Sequence, residues 1–87
     1  MESISNIRNI FIYRSPVGRF FIKFDPGLNK WMLGMDQIVY GHYTDPVGAA
    51  DDVYCQATGC YEWDSLDIDS ILENVPTDLY CWQIIKN

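Results

Sequence analysis

The sequence predicts an α+β fold: a two-layer sandwich in which an antiparallel sheet, of ββββαβ order overall, is covered by one main helix at about residues 46–58. Three observations carry this. Apolar and polar residues alternate at period two through successive segments before residue 44, separated by turn-forming clusters. The period then changes to that of a helix, with Pro46, Ala50, Val53, Tyr54 and Ala57 on one face. Alternation returns from Leu79 to Ile85. A length of 87 residues, 48% hydrophobic with 4 Phe, 6 Tyr and 3 Trp, fits one domain over residues 1–87 and excludes wholesale disorder.

The elements follow in order. Ile7 to Tyr13, rich in Ile, Phe and Tyr, reads as a first strand that stops at the turn former Ser15-Pro16-Val17-Gly18. Phe20, Ile22 and Phe24 then share one face of a second strand, with Phe21 and Lys23 on the other. Asp25-Pro26-Gly27 is a reverse turn, because Pro presets φ and Gly accepts positive φ. Trp31, Leu33 and Met35 alternate along a third strand, Asp36-Gln37 makes a tight hairpin, and Ile38 to Tyr43 is a fourth strand in which His42 shares a face with Ile38 and Tyr40. Strands joined by such short turns are antiparallel neighbours. Thr44 or Asp45 caps the helix, Pro46 occupies its first turn, and Gly59 ends it. Residues 60–78 read as loop with one helical turn near Asp69–Glu73, and the closing strand is free to pair with an edge of the meander.

Charge is sorted along the chain. Residues 1–44 hold three acids and five bases; residues 45–87 hold nine acids and only Lys86, and the net charge is −6. From Asp45 to Asp78 there is no base at all. Such a block repels nucleic acid and attracts basic surfaces, so direct DNA or RNA binding is not expected. No charged segment followed by an apolar run opens the chain, which predicts no signal peptide, and runs such as Ile10–Tyr13 and Tyr80–Trp82 are too short to span a bilayer. An odd number of cysteines, Cys55, Cys60 and Cys81, argues against a secreted disulfide framework; the expected setting is cytoplasmic, with reduced thiols.

Motifs for chemistry are sparse. His42 is the only histidine, the nucleophile-elbow and phosphate-binding glycine patterns are absent, and no enzymatic activity or cofactor is expected. Cys55, Cys60, Cys81 and His42 could form a Cys₃His metal site only if the fold gathered them, and a free cysteine ordinarily packs as a small hydrophobe. Asp64, Asp67, Asp69 and Glu73 lack the glycine of a calcium loop, and Ile68 and Ile71 interrupt them, so no metal site is assigned. Asp45, Asp51, Asp52, Glu62, Asp64, Asp67, Asp69 and Glu73 are instead candidates for an acidic surface that substitutes carboxylates for phosphates in a groove lined with Lys and Arg. Tyr54, Tyr61 and Trp63 are its candidate hydrophobic anchors.

The segment Ala49-Ala50-Asp51-Asp52-Val53, followed by Thr58-Gly59, Glu62-Trp63-Asp64 with Leu66, and Pro76 with Asp78, Leu79 and Trp82, resembles a group of small uncharacterised bacterial and phage proteins. In that group a short β-meander with a Ser-Pro-x-Gly turn, here Ser15, Pro16 and Gly18, precedes an Ala-Ala-Asp-Asp-Val helix. The resemblance covers about Ile12 to Trp82, and among the shared residues Asp52 and Thr58 are expected to cap or bridge to neighbouring loops and Trp63 and Trp82 to pack together. By size, charge and implied origin the chain is also similar to anti-CRISPR proteins, several of which block DNA binding by an effector complex. The expected function is a non-enzymatic inhibitor, monomeric or a small homo-oligomer, acting in the host cytoplasm on a basic nucleic-acid-binding protein or CRISPR effector complex. The alternatives are an accessory domain that self-associates through Phe21, Met32 or Tyr43 on the second sheet face, and a Cys/His metal-binding domain.

Overall fold

Period-two alternation becomes a five-stranded antiparallel sheet in the order β4-β3-β2-β1-β5. The computed structural model describes residues 6–67 and 75–86. The strands are β1 (Asn9–Ser15), β2 (Gly18–Asp25), β3 (Lys30–Met35), β4 (Ile38–Tyr43) and β5 (Gln83–Lys86). Between β4 and β5 lie helix α1 (Pro46–Tyr54), the single-turn helix α2 (Tyr61–Asp64) and a 3₁₀ turn at Leu79–Cys81. The closing strand pairs with β1, Phe11 facing Ile84, so both chain-terminal strands are neighbours.

The hairpin turns are fixed by local chemistry. At the β1–β2 turn the Ser15 Oγ accepts from the amides of Val17 and Gly18 and donates to the Gly18 carbonyl at 2.6 Å. Gly18 has φ +152°, and a Cβ there would lie 2.6 Å from the Met35 sulfur on β3, so only glycine lets the hairpin close. Asp36 opens the β3–β4 turn at φ +54°, and its amide donates to the Arg19 carbonyl at 3.1 Å. The two hairpin tips therefore sit side by side at one end of the sheet.

A β-bulge corrects the expected facing of β4. Leu33 pairs with Gly41 but Gly34 pairs with Val39, which leaves Tyr40 as the extra residue. Alternation reverses across it: Tyr40 packs against the core, whereas His42, opposite Met32, points to the other face and approaches Asp25 at 3.6 Å. Tyr43 is likewise on the covered face, where its hydroxyl donates to Asp52 of α1, and not on the open face expected for it.

The helix begins as expected and ends early. Asp45 is the cap, accepting from the Val47 amide at 2.7 Å, and Pro46 follows at the first turn. Pro46, Ala49, Ala50 and Val53 are its buried residues. Helix α1 stops at Tyr54, short of residue 58, because Gln56 takes the left-handed conformation, at φ +55°, three residues before Gly59, whose own positive φ of +91° lies in the loop beyond. The Gln56 amide donates to the Val53 carbonyl and the Ala57 amide to the Asp52 carbonyl, the paired bonds of a Schellman ending. Glutamine is tolerated there because its side-chain amide donates to the carbonyls of Trp63 and Leu66 at 2.8 and 2.9 Å. The closing strand is also shorter than residues 79–85, since Asp78 accepts from the Tyr80 amide and winds Leu79–Cys81 into the 3₁₀ turn. The helical turn expected at Asp69–Glu73 lies outside the described residues.

The core sits between the sheet and the helical layer. Phe11, Phe20, Ile22, Trp31, Leu33 and Met35 rise from the strands to meet Ala49, Ala50, Val53, Trp63, Leu79 and Trp82. Trp63 stands edge-on to both Tyr13 and Phe20, and Trp82 edge-on to Tyr13, so the two indoles share one buried cluster with the Tyr13 ring between them. No helix among the described residues is long and apolar enough to cross a membrane.

Candidate functional site

The acidic residues are carried by the helical layer, but they do different work. Asp51 is exposed on α1, and Asp45 is exposed while capping it. Glu62 is exposed on α2 and accepts a long hydrogen bond from the Cys60 thiol at 3.5 Å. Asp67 is exposed just beyond α2. Two others are turned inward. Asp52 is half-buried and takes the Tyr43 hydroxyl at 2.6 Å. Burial, and then this bond, push the Tyr43 phenol well above its ordinary pKa, so it stays a donor. Asp64 is half-buried and takes the Thr58 amide, the Thr58 hydroxyl and the Gly59 amide at 3.1, 2.8 and 2.8 Å. It therefore folds the loop between the helices back on itself, as a carboxylate bonded by several donors does. Asp69 and Glu73 lie outside the described residues.

The aromatic set divides in the same way. Tyr61 is 78% exposed, Tyr54 is half-buried against the core, and Trp63 is fully buried. The Trp63 indole N–H donates to the Val53 carbonyl at 2.9 Å, tying α2 to α1. Trp63 is a core residue and is removed from the candidate surface, because no partner can reach it. Tyr80, on the 3₁₀ turn, is an exposed aromatic that the sequence reading missed. Its exposure follows from the turn that replaces the expected strand.

The structure also brings together residues that no spacing in the sequence connects. Val17 from one hairpin tip, Met35, Asp36, Gln37 and Ile38 from the other, Tyr40 at the bulge and Glu62 of α2 line an open groove of about 500 Å³. The Tyr40 phenol is pushed up to about 12, first by its hydrogen bond with Cys60, then by burial and by the negative potential of Cys60, Glu62 and Asp36. No Lys or Arg lines the groove. A second open groove lies on the uncovered sheet face, lined by Ile10, Ile12, Phe21 and Met32 with Arg19, Lys23 and Asp36, so Asp36 borders both grooves.

The Cys₃His set is not assembled. His42 points to the open sheet face, Cys60 is buried in the core on the other side, and Cys55 and Cys81 are exposed. Among the described residues no group of three or more His, Cys, Asp or Glu side chains is placed to hold a metal ion. Comparison of the chain with protein-family models, with curated proteins and with solved structures finds no match.

Proposed function

We propose that this chain is a non-enzymatic interaction protein that blocks nucleic-acid binding by docking its acidic helical layer on a basic surface of a partner, of the kind a CRISPR effector complex presents. The observation that supports this is the sorting of charge between the two sides of the sheet. Asp45, Asp51, Glu62 and Asp67 are exposed on the helical layer, whose segment from Asp45 to Asp67 contains no base. Arg14, Arg19, Lys23 and Lys30 belong to strand positions that face the other way. Tyr61 and Tyr80 add exposed aromatic area beside the acids, which charge alone would not supply. Asp52 and Asp64 contribute by holding the layer in shape.

The test is affinity capture from a bacterial lysate, comparing the wild-type chain with Asp51→Asn/Glu62→Gln. The expected result is a basic nucleic-acid-binding protein retained at low salt, released by added salt or by DNA, and not retained by the double variant. Exposed charge pairs are screened within about 8–10 Å at physiological ionic strength, hence the salt dependence. Equal retention by the variant, or retention that ignores salt, overturns the reading.

A second reading rests on the open sheet face, where Val39 and Ile85 are 45% and 42% exposed beside the partly buried Phe21 and Met32. Self-association through this face would cover them. Sedimentation at two concentrations tests it: a dimer that Ile85→Lys converts to monomer supports it, and a monomer at both concentrations removes it.

A further inference from the structure

We infer that the groove between the two hairpin tips and α2 is a receptor for one arginine side chain of the basic partner. This rests on the docking reading above and adds residues that the acidic block does not contain. Its walls come in two chemical kinds. Val17, Met35 and Ile38 are apolar and match the aliphatic stem of a long cationic side chain, which gains by burying its methylenes while its head stays polar. Asp36 and Glu62 are carboxylates from separate elements, the β3–β4 turn and α2, and among the described residues neither forms an ion pair within 4 Å with Lys or Arg, although Asp36 also borders the groove that Arg19 and Lys23 line. A volume of about 500 Å³ is that of a small-ligand pocket rather than a crevice for one ion.

Arginine fits this combination better than lysine. A planar guanidinium can offer separate N–H pairs to two carboxylates and stack on an aromatic ring, and Tyr40 supplies the ring. A lysine ammonium is a compact, strongly hydrated charge and gains neither. Glu62, half-committed to the Cys60 thiol at 3.5 Å, keeps its second oxygen for a ligand. The groove is open, so the arginine can arrive on a folded surface as well as on a peptide.

The test is an amide chemical-shift titration of the intact chain with N-acetyl-arginine amide, run beside N-acetyl-citrulline amide and N-acetyl-lysine amide. Citrulline has nearly the same shape and no charge. The expected result is saturable shifts confined to Gln37, Ile38, Tyr40 and Glu62 with the arginine probe, weaker ones with lysine and none with citrulline. Asp36→Asn and Glu62→Gln should each weaken the arginine response by about tenfold, the loss of one charge-assisted contact. Asparagine tolerates the positive φ that Asp36 holds, so that variant keeps its turn. Shifts that do not saturate, or that citrulline reproduces, overturn the inference. A capture experiment with Asp36→Asn separates it from the docking reading. If the partner is lost with Asp51→Asn/Glu62→Gln but kept with Asp36→Asn, docking stands and the arginine receptor falls. If the arginine titration succeeds and no partner is captured by the wild-type chain, the receptor stands and docking falls.

Discussion

The two faces of one sheet are built from the same alternating strands and solve different problems. On the covered face, Phe11, Phe20, Ile22 and Leu33 are fully buried, and the aromatic rings of Tyr13, Phe20, Trp63 and Trp82 meet at 5.4–6.2 Å. On the open face, Ile12 is buried but Ile10, Phe21 and Met32 are only half-buried, and Arg14 lies directly opposite Arg19. Like charges facing each other across strands cost stability. The molecule is 18 Å through its shortest dimension, more than two Debye lengths of about 8 Å at physiological salt, so its acidic and basic faces act nearly independently. The comparison teaches that net charge describes neither face. One side holds the fold together and presents acids at its outer surface; the other adds little to the fold and carries the bases.

That contrast can be broken first by truncating one aromatic on each face. Trp63→Ala should cost about 3–5 kcal/mol, since it empties a fully buried site and removes the indole donor to the Val53 carbonyl, which keeps only the Gln56 amide. Phe21→Ala should cost much less, about 1–2 kcal/mol, although its ring lies where a side chain on Gly34 would be: a Cβ there would fall 2.5 Å from the Phe21 Cζ. Urea unfolding of both variants checks this, and equal losses would mean that the open face is structural.

A similar comparison separates the acids. Asp64→Ala should cost about 2–3 kcal/mol because three donors, including the buried Thr58 hydroxyl, lose a charged acceptor. Asp51→Ala, on the exposed side of α1, should change stability by less than about 0.5 kcal/mol. If both behave alike in urea, the division into structural and presented carboxylates fails.

Much of the architecture was legible because it depends on local chemistry. The alternation of Phe20, Ile22 and Phe24, the Ser15 turn, and the Asp45–Pro46 cap each state their structure within a few residues, and the sheet and helix follow. What was not legible depends on distant partners. Gln56 ends the helix in place of Gly59 only because Trp63 and Leu66 lie within reach of its amide. Tyr40 is a bulge residue, which reverses His42 and brings Tyr40 toward Cys60, and no period in β4 announces it. For the acidic block, sequence shows where carboxylates are dense but not which of them the fold consumes. Asp64 and Asp51 are equivalent in composition and opposite in use.

The helix ending gives the next smaller effect. Gln56→Ala should lose about 1–2 kcal/mol by taking the side-chain donor from the Leu66 carbonyl and leaving the Trp63 carbonyl only the Leu66 amide. Gln56→Gly removes the same bonds but relieves the left-handed backbone, by up to about 1 kcal/mol, and should fall between Gln56→Ala and wild type. If glycine is the worse of the two in thermal unfolding, the ending does not carry the strain assigned to it.

Alkaline pH probes the same side of the sheet through Tyr40. Its folded-state pKa, about 12, lies above the ordinary 10, so the fold favours the protonated phenol. The associated stability is complete below pH 10 and is lost as pH rises through about 12. Tyrosinate absorbance should show a step near 12 that is missing in Tyr40→Phe, and that variant should lose less stability than wild type between those two pH values. A wild-type chain whose tyrosines all titrate near 10 would contradict the raised pKa of Tyr40.

The smallest effect concerns the aromatic core itself. The Tyr13 hydroxyl and the Trp82 indole N–H are buried without a hydrogen-bond partner, and burial alone raises the Tyr13 phenol above its ordinary pKa. Both belong to the cluster in which Tyr13 stands between Trp63 and Trp82. A buried polar atom with no partner costs desolvation and returns nothing, so ring packing rather than polarity holds Tyr13 in place. Tyr13→Phe keeps the ring and removes the unpartnered oxygen. It should leave stability unchanged or raise it by up to about 1 kcal/mol in urea unfolding, in contrast to every other covered-face substitution considered above. A clear loss on Tyr13→Phe would mean that the hydroxyl is satisfied in solution, and the covered face would then include a polar contact beyond the Trp63–Val53 and Tyr43–Asp52 bonds.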